Sequence, residues 1–98
     1  MKATAYFCVR TAADGMLSYF IVIVNDKNDV LRTLAHDSFG TASEAFKSVS
    51  ELNISQGSYH PWYAVISDDE RKIIVKRYDD DAFVIKEANI IDKVEISY

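Results

Sequence analysis

The chain has 98 residues, of which 49% are hydrophobic and 27% are charged, and its formal net charge is −4 at pH 7. This balance is typical of a globular protein and excludes a disordered one. The length predicts a single domain over residues 1–98. A net-negative chain without a stripe of lysine and arginine is poorly suited to phosphate backbones, so we do not expect direct nucleic-acid binding.

The apolar runs of the sequence are far shorter than the roughly 20 residues that a membrane-spanning helix needs, so no membrane contact is expected. The first residues lack the long apolar segment and cleavage site of a secretory signal. Cys8 is the only cysteine, which excludes an internal disulfide and cysteine-rich zinc modules. We therefore expect a cytoplasmic protein whose single thiol is buried and unreactive.

Three strands are predicted in the first 36 residues. Ala3–Arg10 alternates between two faces, Leu17–Val24 is apolar on both faces, and Val30–His36 alternates again. Asp14-Gly15 and the polar cluster at 25–29 supply the connecting turns. This order predicts a three-stranded antiparallel meander, with the second strand in the middle of the sheet because it is apolar on both sides.

One amphipathic helix is predicted to begin at Thr41. Thr41 and Glu44 fit a capping box, in which the threonine hydroxyl bonds the Glu44 amide and the glutamate reaches back. From there apolar residues recur at three-and-four spacing as far as Leu52. We expect this helix to pack its apolar face on the sheet.

Further strands are predicted after the helix, at Trp62–Ser67, at Lys72–Tyr78 and at Val94–Tyr98. Residues 82–91 satisfy both a strand pattern and a helical spacing, and we interpret them as a strand. The predicted fold class is therefore α+β: an antiparallel sheet in the order β-β-β-α-β-β-β, with room for one more strand, and one amphipathic helix packed on it.

Part of this pattern is similar to a known arrangement. Residues 18–50 contain, in order, Phe20-x-Val22-x-Val24, Val30-Leu31, Ser38-Phe39 and Thr41-Ala42-Ser43-Glu44-Ala45. This segment resembles the repeat unit of YegP-like proteins, which are small bacterial proteins of unknown function. The resemblance implies a three-strand-plus-helix unit, although the Asn-Gly turn of that unit is replaced here by residues 25–29 without glycine. It covers about a third of the chain and implies no activity, cofactor or site residue.

The sequence contains no motif of a known catalytic or cofactor-binding site, since GxSxG, the P-loop, GxGxxG and HExxH are all missing. His36, followed by Asp37, and His60, followed by Pro61, could each supply a base. Asp37 could orient the His36 imidazole, but adjacent residues of a strand point to opposite faces, and no spacing singles out a catalytic triad. We predict no catalytic residue, cofactor or metal ligand, and an enzyme with an unrecognised histidine site is the less favoured alternative.

Two acidic runs stand one hairpin length apart, Asp68-Asp69-Glu70 and Asp79-Asp80-Asp81. They lack the ligand spacing and central glycine of a calcium loop, so we interpret them as solvated turns and not as a cation site. Carboxylates on a small domain can also imitate a phosphate backbone and occupy the basic groove of a nucleic-acid enzyme. That inhibitor by mimicry is an alternative function.

A dense aromatic passage precedes the fourth strand, and such large amphipathic rings suit the centre of a protein interface. We predict a small non-enzymatic protein-binding module, an inhibitor, immunity or accessory protein that occludes another protein. Its predicted contact residues combine this passage with both acidic runs: Tyr59, His60, Trp62, Asp68, Asp69, Glu70, Asp79, Asp80 and Asp81. The structural alternative is self-assembly as a homodimer through an edge strand such as Val94–Tyr98.

Overall fold

The computed structural model describes residues 1–54 and 60–98. In chain order its elements are β1 Lys2–Thr11, β2 Leu17–Val24, β3 Val30–His36, α1 Phe39–Lys47, a 3₁₀ turn at Val49–Glu51, β4 Trp62–Ile66, β5 Lys72–Arg77 and β6 Phe83–Ser97. The predicted α+β class, with a mostly antiparallel sheet and one helix, is confirmed. None of the helices in these two ranges is long and apolar enough to cross a membrane.

The six strands form one antiparallel sheet in the order β3-β2-β1-β6-β5-β4. The sheet curls so that the start of β3 approaches β4. Asp29 forms a β-bridge with Tyr63, and the Ala64 amide donates to the Asn28 carbonyl at 2.8 Å. β2 lies inside the sheet, but the two central strands are β1 and β6. The prediction that placed β2 in the middle is corrected here, since a local pattern does not show that the first strand pairs with the last.

β6 is one long strand that changes partners along its length. Residues 83–89 pair with β5, and residues 89–97 pair with β1 across an irregularity opposite Phe7 and Cys8. The strand interpretation of residues 82–91 is confirmed. The separate final strand at Val94–Tyr98 is wrong, because this segment continues β6. β3 and β4 are the outer strands of the order, residues 90–97 of β6 pair only with β1, and the homodimer through an edge strand stays a prediction.

The curled sheet separates two apolar clusters, one on each face. The inner cluster, enclosed by the curl, consists of Tyr6, Cys8, Val22, Val24, Val30, Ala64, Ile73, Val75, Ile85 and Ala88. The outer cluster lies on the helix side and consists of Ala3, Ala5, Ile21, Ile23, Val49, Ile54 and Ile96. β2 contributes alternate residues to both clusters, which explains why its sequence is apolar on both faces.

The N-cap of the helix lies three residues earlier than predicted. Ser38 is its N-cap, with an extended backbone, and its hydroxyl accepts the Thr41 amide at 3.3 Å. The capping-box prediction is therefore wrong in register, because a serine three residues upstream offers the same hydroxyl to the first turn. Glu44 forms an exposed ion pair with Lys47 at 3.3 Å. Phe46 packs against the outer cluster.

Candidate functional site

The β4–β5 hairpin places the two acidic runs at its opposite ends. Trp62 pairs with Arg77 at one end, and Ile66 pairs with Ile73 at the other. A five-residue strand is about 17 Å long, so Asp68-Asp69-Glu70 and Asp79-Asp80-Asp81 do not form one acidic surface. Among the residues that the structure describes, no group of three His, Cys, Asp or Glu side chains could hold a metal ion.

The first run closes its own turn. Ser67 Oγ donates to Asp69 Oδ1 at 2.6 Å, and the Arg71 amide donates to the same oxygen at 3.1 Å. The bond from Ser67 is the main reason why the pKa of Asp69 is lowered. Glu70 points away from this turn toward β6, where its Oε2 accepts from Lys93 Nζ at 2.6 Å. This end of the hairpin is therefore tied to β6.

The second run is partly neutralised by an arginine. Arg77 donates from Nε to Asp79 Oδ1 at 3.1 Å and from Nη2 to Asp79 Oδ2 at 2.8 Å. This two-pronged geometry holds the pKa of Asp79 below its usual value. Asp80 lies 3.7 Å from the same guanidinium and also accepts the Ala82 amide at 3.0 Å. Asp81, the last residue of the run, is turned toward a tyrosine.

Two tyrosines at this second end stack on each other. The ring centroids of Tyr63 and Tyr78 are 4.7 Å apart with an interplanar angle of 33°. Tyr63 donates its hydroxyl to Asp81, and Tyr78 donates its hydroxyl to Asp29 at the start of β3. The amide of Tyr78 also donates to the Pro61 carbonyl at 2.9 Å. The two rings are thus in tilted contact, and we call Asp29, Tyr63, Tyr78 and Asp81 the tyrosine–aspartate surface.

The carboxylates hold both phenols in their protonated, donating form. The pKa of Tyr63 is raised, first by its bond to Asp81, and the pKa of Tyr78 is raised, first by its bond to Asp29. The pKa of Asp29 is lowered, mainly by the bond from Tyr78 and then by the Asn25 side chain. Each ring is therefore fixed at its hydroxyl, while 53% of Tyr78 stays exposed.

The two predicted aromatic contact residues that the structure describes, Trp62 and His60, occupy different environments. Trp62 is partly buried and packs against the inner cluster, so its ring belongs to the core of the curled sheet. His60 is partly buried and lies close enough to Asp29 to help lower the pKa of that carboxyl. Tyr59 lies outside the described residues. The partner-binding role of this set stays a prediction.

Three members of the tyrosine–aspartate surface are missing from the predicted contact residues, namely Asp29, Tyr63 and Tyr78. The alternation of a strand gives one useful signal: if Trp62 faces the core, Tyr63 faces outward. Tyr78 stands directly before the second acidic run, which is a second signal. Nothing local indicates that Asp29 reaches Tyr78, because the two are 49 residues apart.

The other candidates for chemistry are isolated. His36 ends β3 opposite Tyr19, and its buried Nε2 has no hydrogen-bond partner among the residues described. Cys8 is fully buried in the inner cluster, and burial raises the pKa of its thiol to about 12. A thiol with this pKa is protonated at neutral pH and is a poor nucleophile.

Comparisons with known proteins give no family for this chain: no family model, curated protein or solved structure matches it. The resemblance of residues 18–50 to the YegP-like repeat stays a prediction about fold alone.

Proposed function

We propose that this chain is a small non-enzymatic protein-binding module, an inhibitor, immunity or accessory protein that occludes its partner. The tyrosine–aspartate surface makes the central contact in this proposal. The observation that supports it is the stacked pair of Tyr63 and Tyr78, with each phenol bonded to an aspartate and the second ring 53% exposed.

A fixed, exposed aromatic ring is well suited to binding another protein. Tyrosine buries a large area on contact and has few rotatable bonds to order. Here the bond to Asp29 and the stacking on Tyr63 hold the Tyr78 ring before a partner arrives, which lowers the entropy cost of association. Preorganised rings of this kind are typical of the centre of an interface.

The charge around the rings indicates the chemistry of the partner. Asp29 and Asp81 lie at the two hydroxyls, Asp79 and Asp80 stand in the adjoining turn, and the whole chain carries −4. Arg77 offsets part of this charge at Asp79. A partner that presents lysine or arginine is favoured, because opposite charges speed association and cationic groups bind the faces of tyrosine rings.

The test is an affinity pull-down from lysate of the source organism with wild-type protein, Tyr78→Ala and Phe39→Ala. Phe39 is the matched control because it is an aromatic residue of equal exposure, 52%, on the helix side. We expect the wild type to capture a stoichiometric partner. The Phe39→Ala variant should still capture it and the Tyr78→Ala variant should not. High salt should weaken the binding. A partner that Tyr78→Ala retains would exclude this surface, and a folded wild-type sample that captures no partner would contradict the proposed function.

A further inference from the structure

A cavity of about 370 Å³ opens between β1, β6 and the turn that joins β4 to β5. Its lining residues are Thr4, Tyr6, Glu70, Lys93, Val94 and Glu95. The strand register explains the arrangement, since Thr4 stands opposite Glu95 and Tyr6 stands opposite Lys93. These four side chains share one face of the β1–β6 ladder, because alternate residues of a strand point to the same side. Glu70 completes the lining from the turn.

Tyr6 is a buried phenol without a partner. It is only 6% exposed, and it belongs to the inner cluster. No described side chain or backbone group forms a hydrogen bond with its hydroxyl. The ring is buried, while the hydroxyl stays accessible at the cavity wall and is available there to a ligand or solvent group. The pKa of Tyr6 is raised, mainly by burial and then by Glu70, so the phenol is neutral at pH 7.

The other polar groups of the cavity determine the charge of that ligand. Lys93 is already engaged by Glu70 at 2.6 Å, and this pair contributes no net charge. Glu95 forms no ion pair among the described residues, so its carboxylate leaves the lining with a net charge of −1. An anion would meet two glutamates and a lysine that is already bound. A cation would meet the Glu95 carboxylate and two hydroxyls, beside a Lys93 ammonium that Glu70 already pairs.

We propose that this cavity binds a primary ammonium group. An ammonium carries three N–H donors and no acceptor, and the cavity offers three oxygen acceptors of matching polarity, the Glu95 carboxylate and the Tyr6 and Thr4 hydroxyls. The group comes from a lysine side chain of another protein or from a small free alkylamine. The cavity lies at the end of the hairpin opposite the tyrosine–aspartate surface, so this proposal does not depend on that surface.

The test is a titration of ¹⁵N-labelled protein with n-butylammonium chloride at pH 7, followed by two-dimensional NMR. We expect saturable shifts confined to the amides of the lining residues. Glu95→Gln should weaken binding about tenfold or more, because it removes the charge from one acceptor, and Tyr6→Phe should weaken it several-fold. Tyr6→Phe keeps the buried ring, and an unchanged pattern of amide signals elsewhere shows that it is folded.

Two comparisons complete the experiment. Glu87→Gln is the matched control. Glu87 is an exposed acid that pairs with Lys72 at 2.9 Å, and it does not line the cavity. This variant should bind n-butylammonium like the wild type. Sodium butyrate should cause no shifts at the cavity. Shifts with butyrate and none with the amine would overturn the proposal, as would equal binding by wild type and Glu95→Gln.

A short peptide that contains lysine separates the two sources of the ammonium group. Tighter binding of a capped Ala-Lys-Ala peptide than of n-butylammonium assigns the cavity to a lysine side chain of another protein. Weaker binding of the peptide assigns it to a free amine. Either order supports an ammonium site, and failure of both probes to bind overturns it.

Discussion

The two ends of the β4–β5 hairpin are built alike and are used differently. Each end is a turn whose last acid has a left-handed backbone, Glu70 with φ 56° and Asp81 with φ 55°, and each of these acids gives its carboxylate to another strand. Asp81 accepts from Tyr63 and helps to hold a stacked pair of rings outward. Glu70 accepts from Lys93 and leaves Tyr6 unpaired at a cavity wall. The residue that each carboxylate binds thus distinguishes the two ends. The Asp81 end presents two tyrosine rings, and the Glu70 end forms a polar cavity.

The largest expected effect comes from the strand that joins the two ends. Ile73 of β5 is fully buried in the inner cluster, and Ile73→Ala should lower the free energy of unfolding by about 2–5 kcal/mol because it leaves a cavity. Urea denaturation followed by circular dichroism measures this loss. Val65→Ala, at a site that is 47% exposed, is the control and should change stability by no more than about 0.5 kcal/mol. Equal losses in both variants would contradict a core shared by the two ends.

The left-handed residues should respond to glycine in the same way at both ends. Glu70→Gly should be more stable than Glu70→Ala, and Asp81→Gly more stable than Asp81→Ala, by about 1 kcal/mol, because only glycine adopts positive φ without steric cost. Comparing glycine with alanine cancels the loss of the carboxylate. Thermal unfolding of the four variants measures the differences.

Asp68 supplies the control for this comparison, because it lies in the same turn as Glu70 without a positive φ. There the order should reverse, with Asp68→Ala more stable than Asp68→Gly. The same order at all three positions would contradict the assignment of backbone strain to Glu70 and Asp81.

The smallest effect concerns the bond between Tyr78 and Asp29. Since the folded pKa of Asp29 is lowered, its stabilising effect is present above the unfolded pKa of about 3.9 and is lost as the pH falls through the folded value. Tyr78→Phe should therefore be less stable than the wild type at pH 7, by no more than about 1 kcal/mol, and the difference should shrink when the pH is lowered to 2. Thermal unfolding at both pH values measures it.

Tyr19→Phe is the matched control for the pH experiment, because the Tyr19 hydroxyl forms no hydrogen bond with the described residues. Its effect on stability should be the same at both pH values. A difference between wild type and Tyr78→Phe that does not change with pH would show that the phenol does not act through the Asp29 carboxylate.

The sequence predicted the features that depend on local pattern. The apolar character of β2 on both faces indicated cover on both sides, and alternate residues of that strand do enter the two clusters. The acidic runs were correctly placed in turns. The predicted N-cap was three residues too late, because Ser38 and Thr41 both carry a hydroxyl suited to an N-cap and only the backbone at Ser38 shows which one is used.

The features that could not be predicted from the sequence depend on contacts between residues that are far apart along the chain. Tyr6 and Lys93 meet only because β1 pairs with the end of β6, and Tyr78 meets Asp29 only because the sheet curls until β3 reaches β4. The cavity and the tyrosine–aspartate surface therefore both depend on these long-range contacts. A periodicity in one strand says which face a residue occupies, but it does not say which strand lies beside it.

The partner change in β6 also bears on how the chain reaches its native state. Without this strand, β1 to β3 form one meander and β4 to β5 form a separate hairpin, and β1 and β5 each present an unpaired edge. A single 15-residue segment closes both edges. Because the β1–β6 pairing joins distant parts of the chain, we expect folding to be slow for a domain of this size. On the ribosome, the sheet becomes continuous only after β6 has emerged, and until then both edges are open to aggregation.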